Sequence, residues 1–199
     1  MTSTSPNPDP LARFREVFAA AEAAGSNEVD RTAMTLATAD RAGHPSARIV
    51  LLKGVDERGF VFYTNYDSRK ARELEENPFA ALCLFWPSLD QQVRVEGRIE
   101  RVTGEESDAY FAQRPRESQL GAWASRQSET LTSRQELLTR LHDVEKRFAG
   151  AAVIRPSFWG GYLLRPEWME FWQRGDFRLH HRTAYIKDDD EWRIEELYP

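Results

Sequence analysis

The order of strand-like and helix-like segments is the strongest constraint on how this chain folds. Runs of β-branched and aromatic residues predict a series of strands, then a helical portion, then further strands. The predicted strands span residues 33–39, 46–53, 59–65, 79–86, 91–102, 162–164, 177–187 and 192–195. Because helices do not alternate regularly with these strands, the order favours a mainly β, α+β fold. We expect an antiparallel sheet or barrel with peripheral helices rather than a doubly wound parallel sheet.

Apolar periodicity and capping signals predict where the helices lie. Residues recur at helical spacing near the N-terminus, and two capping boxes open helices in the middle of the chain. The predicted helices span residues 11–24, 68–76, a segment from Thr103-x-x-Glu106 through Phe111, residues 118–124, and a segment from Ser133-x-x-Glu136 to Gly150. The helices therefore accompany the sheet and do not connect parallel strands.

Composition limits the classes of function. The chain has 199 residues and a net charge of −5, and we expect one domain over residues 11–199 behind a disordered tail, residues 1–10. The negative charge argues against general binding to nucleic acid or anionic membranes, so an anion site requires a local basic pocket. No apolar run approaches membrane-spanning length, and we expect a cytoplasmic protein. The single Cys83 excludes an intrachain disulfide, and without a metal-binding motif we expect no metal.

A basic run near the C-terminus, Phe177-Arg178-Leu179-His180-His181-Arg182, stands out in this acidic chain. In an extended strand, Arg178, His180 and Arg182 would share one face, about 7 Å apart from one to the next. These three side chains either are solvated or bind an anionic group.

A second basic pair, Arg69 and Lys70, falls in the first turn of a predicted helix that follows a strand. Cations at this position oppose the helix dipole by about 0.3–1 kcal/mol each. A bound phosphate would reverse the sign, because free N–H groups and two cations would converge on it. A solvated basic turn remains the alternative.

Arg48 and Lys53 bracket the apolar strand Ile49-Val50-Leu51-Leu52. The ordinary interpretation is a pair of charges that reach water from the strand ends. Positions 48 and 53 lie on opposite faces of a regular strand. Both could contact one ligand only through a bulge or from the end of the strand.

Tyr110, Arg114 and Ser118 form a possible phosphate clamp. Tyr110 and Arg114 are four residues apart in a helical segment, and Pro115 ends the helix near Arg114. A hydroxyl and a guanidinium suit a phosphate, but a cation at a helix C-terminus is the simpler alternative. No G-x-S-x-G elbow, Walker loop or G-x-G-x-x-G motif competes with an anion site.

Taken together, these segments resemble the pyridoxine/pyridoxamine 5'-phosphate oxidase family over residues 11–199. The order and spacing of many short motifs carry the resemblance. They are RIVLLK at 48–53, FYTN at 62–65, SRKA at 68–71, QV at 92–93, YFAQRPRESQLGAWAS at 110–125, RQS at 126–128, SFWGG at 157–161, EFWQ at 170–173 and RLHHR at 178–182.

The resemblance implies an FMN-binding split β-barrel that forms a homodimer, with FMN at each subunit interface. The cofactor residues that it implies are Arg48, Ile49, Val50, Leu51, Leu52, Lys53, Tyr63, Thr64, Arg69, Lys70, Gln92, Gln127, Ser128, Trp172 and Arg182. It assigns the substrate phosphate to Lys53, Tyr110, Arg114 and Ser118. Arg178 and His180 match a catalytic pair that also binds the substrate ring.

The implied activity is oxidation of pyridoxine 5'-phosphate or pyridoxamine 5'-phosphate to pyridoxal 5'-phosphate, with oxygen reduced to hydrogen peroxide. A related oxidase that acts on another ring, such as a phenazine precursor, would not need Arg114 and Ser118 for a phosphate. A non-catalytic split-barrel protein that binds flavin or haem should lack the clamp and the Arg178/His180 pair, and this chain has both.

Overall fold

The computed structural model describes residues 9–24, 30–189 and 191–199. These residues form an antiparallel sheet with helices around it, as the sequence predicts. The helices are α1 (Pro10–Ala23), α2 (Arg69–Glu76), α3 (Gly104–Gln113), α4 (Arg116–Ala124) and α5 (Arg134–Arg147). The strands are β1 (Ala33–Ala39), β2 (Pro45–Leu51), β3 (Gly54–Asp56), β4 (Gly59–Asn65), β5 (Phe79–Trp86), β6 (Gln91–Arg101), β7 (Trp159–Gln173), β8 (His181–Asp188) and β9 (Glu191–Glu196).

The first helix begins slightly earlier than predicted. Asp9 caps α1, because its carboxylate accepts a hydrogen bond from the Leu11 N–H at 2.9 Å, and Pro10 is the first helical residue. The rest of the predicted tail, residues 1–8, and Gly25, which directly follows the predicted helix and is the expected helix stop, lie outside the described residues. Among the helices that the structure describes, none is long and apolar enough to cross a membrane.

The strand order in the sheet is β2-β1-β5-β6-β7-β4-β3. Because β2 and β3 are consecutive in the chain, the two edges of the sheet are brought close to each other. The Leu52 N–H donates to the Thr32 carbonyl at 2.8 Å, whereas the next N–H, that of Lys53, donates to the Val61 carbonyl at 2.8 Å. One continuous segment thus pairs first beside β1 and then with β4. The sheet therefore curls around an enclosed core.

Strand β7 was predicted only for residues 162–164 and is much longer. Its first half pairs with β4, from Asn65↔Trp159 to Phe60↔Leu164, and its second half pairs with β8, from Ile186↔Trp168 to His181↔Gln173. Both halves also pair with β6. Two strands therefore share β7 end to end, and the β8–β9 hairpin extends away from the curled part of the sheet.

The core fills the curled sheet and is closed at one end by α1. Phe14 of α1 is 1% exposed and meets the edge of Phe60 at a ring separation of 4.8 Å. A second cluster packs α3, α4 and α5 against the start of β7, around Phe111 and Trp159. The groove between the sheet and this helical cluster holds the site described next.

The predicted strand over residues 177–187 is wrong at its start. Residues Asp176–Arg178 form a 3-10 turn, and Phe177 and Arg178 both have positive φ, 54° and 66°. At Gly175 a Cβ atom would lie 2.0 Å from the Leu179 carbonyl oxygen, so the tight loop requires glycine there. Arg178, His180 and Arg182 therefore do not form one row along a strand.

Candidate active site

A cleft of about 870 Å³ lies between the sheet and the helical cluster. Its wall includes four cationic side chains, from Arg48, Lys53, Lys70 and Arg114, and no aspartate or glutamate among the described residues that line it. In a chain with a net charge of −5, this local excess of positive charge is unusual. The cleft is thus built to receive anionic groups.

The inner end of the cleft contains Lys70, which is 8% exposed. It lies in the first turn of α2, where the chain leaves β4 and Ser68 is the N-cap residue. Its ammonium donates to Gln127 Oε1 at 2.7 Å and to Thr64 Oγ1 at 3.1 Å. Burial, with the charge of Arg48, lowers the pKa of Lys70 to about 8, although Glu73 opposes the shift. A buried cation with only neutral hydrogen-bond acceptors favours a bound anion.

Arg69 does not line this cleft. Its Nε donates to Glu73 Oε1 at 2.7 Å, one turn along α2, and most of its side chain is exposed. The two cations of the helix start therefore differ, since Lys70 points into the cleft and Arg69 lies outside it, against Glu73.

Glu73 also fixes Arg48, whose Nη2 lies 3.2 Å from Glu73 Oε2. Burial of Glu73 raises its pKa, but hydrogen bonds from Ser46, Thr38, Arg69 and Arg48 outweigh this effect and lower it to about 2. Glu73 thus stays ionised and links α2 to β1 and β2. Sequence patterns did not predict this role, because the partners come from three separate elements.

The strand from Arg48 to Leu51 reaches the cleft with alternating exposure. Arg48 and Val50 are half-buried, whereas Ile49 is 63% exposed and Leu51 is 38% exposed. Leu52 is buried in the core and does not line the cleft. Lys53 lies two residues beyond the end of β2, so it reaches the cleft from the end of the strand. This explains how Arg48 and Lys53 border one cleft despite their opposite parity.

The outer part of the cleft is formed by Tyr110, Arg114 and Ser118. Tyr110 lies in the last turn of α3, and Arg114 ends that helix in an extended conformation (φ −70°, ψ 146°), as Pro115 predicted. Arg114 Nη1 is buried and has no hydrogen-bond partner among the described residues. Burial lowers the pKa of Arg114, and Tyr110 opposes this. An unsatisfied, desolvated guanidinium favours an incoming oxyanion.

Aromatic rings form the wall between the inner and outer parts. Tyr63 stacks on Tyr110 at 3.9 Å and lies nearly parallel to Trp159 at 5.5 Å. The Arg114 guanidinium carbon sits 4.6 Å from the centre of the Trp159 ring. A Cβ atom at Gly161 would lie 2.7 Å from the Tyr63 ring, so the glycine pair acts in close packing. The aromatic wall can therefore pack in this way only because position 161 lacks a side chain.

The other predicted site residues lie away from this cleft, on β6, β7, β8 and the loop before β8. Gln92 pairs with Trp172, and Trp172 pairs with Arg182. The Trp172 and His180 rings are 4.7 Å apart, and His180 Nδ1 accepts the Gly175 N–H at 3.3 Å. Arg178 is exposed. These residues form a second group, which the structure does not bring to the cleft within one subunit.

Arg182 is held by a buried carboxylate. Its Nε and Nη2 donate to the two oxygens of Glu170 at 2.7 and 3.0 Å, and its Nη1 donates to the Tyr198 carbonyl at 2.9 Å. Glu170 is 1% exposed. Arg182 is thus fixed by β7 and by the C-terminal residues together.

Comparison with known proteins settles the family. A family model described as pyridoxamine 5'-phosphate oxidase matches residues 23–148. The chain belongs to this family. A second model, described as the pyridoxine 5'-phosphate oxidase C-terminal dimerisation region, matches residues 159–199, which include β7, β8 and Arg182. The family is FMN-dependent, and the resemblance found in the sequence is confirmed.

Relatives named pyridoxine/pyridoxamine 5'-phosphate oxidase align along nearly the whole chain. One from Anaeromyxobacter dehalogenans is 55% identical over 192 residues and covers 96% of each chain. One from Rubrobacter xylanophilus is 58% identical over 193 residues, covering 97% of this chain and 88% of the relative.

A solved structure, PhzG from Burkholderia lata in complex with tetrahydrophenazine-1-carboxylic acid, has a TM-score of 0.91 and 32% identity. The alignment covers 98% of this chain and 95% of the PhzG chain. The predicted split β-barrel fold of this oxidase family member is thereby confirmed.

Three residues that contact and position the predicted site arginines were not predicted from the sequence. The Trp159 ring packs against the Arg114 guanidinium, Glu73 forms a salt bridge with Arg48, and Glu170 forms a salt bridge with Arg182. Trp159 stands inside the SFWGG motif, so its place beside two glycines was a usable signal of close packing. The two glutamates carried no such signal, because charged residues on helices and strands are mostly solvated. Ser128, predicted beside Gln127, is exposed with a φ of 75° and does not line the cleft.

Proposed function

We propose that this family member oxidises pyridoxine 5'-phosphate or pyridoxamine 5'-phosphate to pyridoxal 5'-phosphate, with bound FMN and with oxygen reduced to hydrogen peroxide. The observation that carries the proposal is the presence of two separate anion sites in one carboxylate-free cleft. Lys70 forms the inner site and Arg114 the outer one. A flavin mononucleotide and a phosphorylated substrate together supply two phosphates.

The inner site suits the FMN phosphate. Lys70 is buried at a helix N-terminus, and Thr64 and Gln127 supply hydrogen-bonding groups beside it. We assign to contacts along the cofactor the residues that border the cleft on β2 and just beyond its end, namely Arg48, Ile49, Val50, Leu51 and Lys53. Leu52 supports this segment from the core. Arg69 contributes its charge from outside the cleft through the Glu73 network.

The outer site suits the substrate phosphate. Arg114 offers an unsatisfied N–H group, and the hydroxyls of Tyr110 and Ser118 and the ammonium of Lys53 border the same space. Anchoring a phosphate far from the reacting carbon aligns the substrate and removes much of the entropic cost of the reaction. The four side chains therefore orient the substrate and exclude bulk water from its phosphate.

We propose that a homodimer completes the site. Gln92, Trp172, Arg182, Arg178 and His180 do not line the cleft of their own subunit, and most of them lie in the segment that matches a dimerisation region. The partner subunit's copies of these residues would close the cleft over the ring. Ile49 is 63% exposed and Leu51 38% exposed beside the cleft, and they supply apolar surface for such a contact.

Bound FMN would supply hydride acceptance from the substrate's C4' carbon and electron transfer to oxygen. His180 Nδ1 accepts a backbone N–H, so the proton of the neutral imidazole lies on Nε2. The partner subunit's His180 would therefore donate a hydrogen bond from Nε2 to the substrate. Arg178 would orient the ring and stabilise negative charge near the C4' substituent.

A second candidate is oxidation of a phenazine precursor, which the likeness to PhzG favours. A substrate without a phosphate leaves the buried Arg114 N–H unsatisfied, and this is costly. The unphosphorylated substrate is therefore the weaker candidate.

The test is peroxide release by the purified yellow protein. We expect release with pyridoxamine 5'-phosphate, and at least about 100-fold lower kcat/KM with pyridoxamine, because a charge-assisted phosphate clamp is lost. Equal rates with the two amines would contradict the phosphate assignment. Turnover of a tetrahydrophenazine carboxylate without turnover of the phosphorylated amine would establish the second candidate instead. Peroxide from neither would indicate a non-catalytic flavoprotein.

A further inference from the structure

Arg114 is held by an aromatic ring and not by a carboxylate. We propose that Trp159 is a positioning residue that selects phosphorylated substrates, because it fixes the Arg114 guanidinium without neutralising its charge. The inference rests on the proposed function, since it concerns the substrate-phosphate site. It adds a residue that the family motifs did not assign to that site.

The geometry around Trp159 supports this role. Trp159 is 6% exposed, and the Arg114 guanidinium carbon lies 4.6 Å from its ring centre. Phe111 meets the same indole edge-on at 5.1 Å, and Tyr110 lies parallel to it at 6.2 Å. The backbone of Trp159 is fixed as well, because its carbonyl accepts a hydrogen bond from Arg155 Nη1 at 2.7 Å. Burial and the two neighbouring rings therefore hold the indole against Arg114.

The contrast with the other site arginines is informative. Arg48 and Arg182 each pair with a buried glutamate, so much of their charge is compensated within the protein. The salt bridges among the described residues include none from Arg114, and its Nη1 has no hydrogen-bond partner there. An aromatic face attracts a cation but leaves its net charge for a ligand. Arg114 thus keeps a full positive charge and a free N–H for a phosphate dianion.

The consequence is a specificity effect and not a general effect on catalysis. Loss of the ring would leave the Arg114 guanidinium with only the more distant contact to the Phe111 ring, 5.7 Å away, so Arg114 would be less fixed and binding of a phosphorylated ligand would weaken. Binding of an unphosphorylated amine does not use Arg114 and should be little affected. The ratio of kcat/KM for pyridoxamine 5'-phosphate to that for pyridoxamine therefore isolates the role of Trp159 from general damage to the fold.

The experiment compares Trp159→Leu, Trp159→Phe, Arg114→Met and the control Trp123→Leu as FMN-loaded proteins. The Arg147 guanidinium carbon lies 4.4 Å from the centre of the Trp123 ring, and Trp123 does not line the cleft. Trp123 is therefore a control with the same kind of cation–aromatic contact outside the site. We expect Trp159→Leu to lower the ratio about 10-fold and to raise the inhibition constant of inorganic phosphate by a similar factor. Trp159→Phe keeps an aromatic face and should lower the ratio about 3-fold. Trp123→Leu should leave the ratio unchanged.

The outcomes distinguish failure of the phosphate clamp from failure of the role assigned to Trp159. If Arg114→Met leaves the ratio unchanged, the proposed phosphate clamp is wrong, and this inference falls with it. If Arg114→Met lowers the ratio but both Trp159 variants leave it unchanged, only the role of Trp159 is overturned. Should Trp159→Leu not fold, Trp159→Phe decides alone, and a ratio equal to that of the unsubstituted enzyme would refute the inference.

Discussion

Replacement of Lys70 by methionine should make the FMN-free protein more stable at neutral pH and the cofactor complex weaker. Burial lowers the pKa of Lys70 from 10.5 to about 8 in the folded protein. At about 1.4 kcal/mol per pH unit, this corresponds to about 3 kcal/mol of unfavourable free energy for the charged form. The hydrogen bonds that Lys70 donates return part of it, so we expect Lys70→Met to raise the unfolding free energy by about 2 kcal/mol at pH 7.

The sign of the pH dependence follows from the direction of the shift. The unfolded chain binds the Lys70 proton more tightly than the folded chain, so the destabilisation is fully present below pH 8 and disappears as the pH rises toward 10.5. The unsubstituted protein should therefore gain about 2 kcal/mol relative to Lys70→Met between pH 7 and pH 9.5. Urea unfolding of the two FMN-free proteins at both pH values measures this difference.

FMN binding should change in the opposite direction. Loss of a charge-assisted hydrogen bond to the phosphate should weaken FMN about 10- to 100-fold, measured by titration of flavin fluorescence. Lys146→Met is the control, because Lys146 is exposed on α5, and it should alter neither quantity by more than about 0.5 kcal/mol. Parallel pH curves for Lys70→Met and the unsubstituted protein, or undiminished FMN affinity, would refute the reasoning.

Three further substitutions test other parts of the site. Arg178→Ala should reduce kcat far more than FMN content, and an equal loss of both on gel filtration and in peroxide assays would contradict the catalytic assignment. Glu170→Gln leaves the half-buried Arg182 without its charge partner and should cost about 2 kcal/mol in urea unfolding, and a loss below about 0.5 kcal/mol would show that the ion pair contributes little to stability. Gly161→Ala places a methyl group 2.6 Å from Val102 Cγ2 and should cost about 1–3 kcal/mol and part of the bound FMN, whereas Gly104→Ala, whose methyl group would meet Arg155 Nη2 at an ordinary contact distance of 3.9 Å, should cost neither.

Local patterns predicted the strands and helices well, because period and capping are properties of short segments. β1, β4 and β5 have the predicted bounds, and the box at Thr103 is present with both of its hydrogen bonds. The turn at Phe177 and Arg178 escaped prediction, since neither residue type favours positive φ. That conformation is imposed by the tight loop between Gly175 and Leu179.

The site was predictable where the resemblance named its residues and unpredictable where distant segments meet. The cleft brings together Lys53, Lys70, Tyr110, Arg114 and Ser118, as the motifs implied. Arg114, with its Nη1 unpaired among the described residues, packs against the ring of Trp159, which lies 45 positions later in the chain. Sequence periodicity cannot predict a contact between such distant residues. The remaining predicted residues lie elsewhere on the subunit, and in the proposed homodimer they would reach the cleft of the partner subunit.

The shared edge of β7 also fixes when the cofactor site can exist during synthesis. β6 and β4 both pair with β7, so β7 completes the ladder between the β2-β1-β5-β6 part of the sheet and the β4-β3 part. Until residues 159–173 have left the ribosome, the curled sheet cannot form and the cleft has no Trp159 wall. Cofactor capture therefore has to wait for residues 159–173, and a nascent chain stalled before residue 159 should bind no FMN.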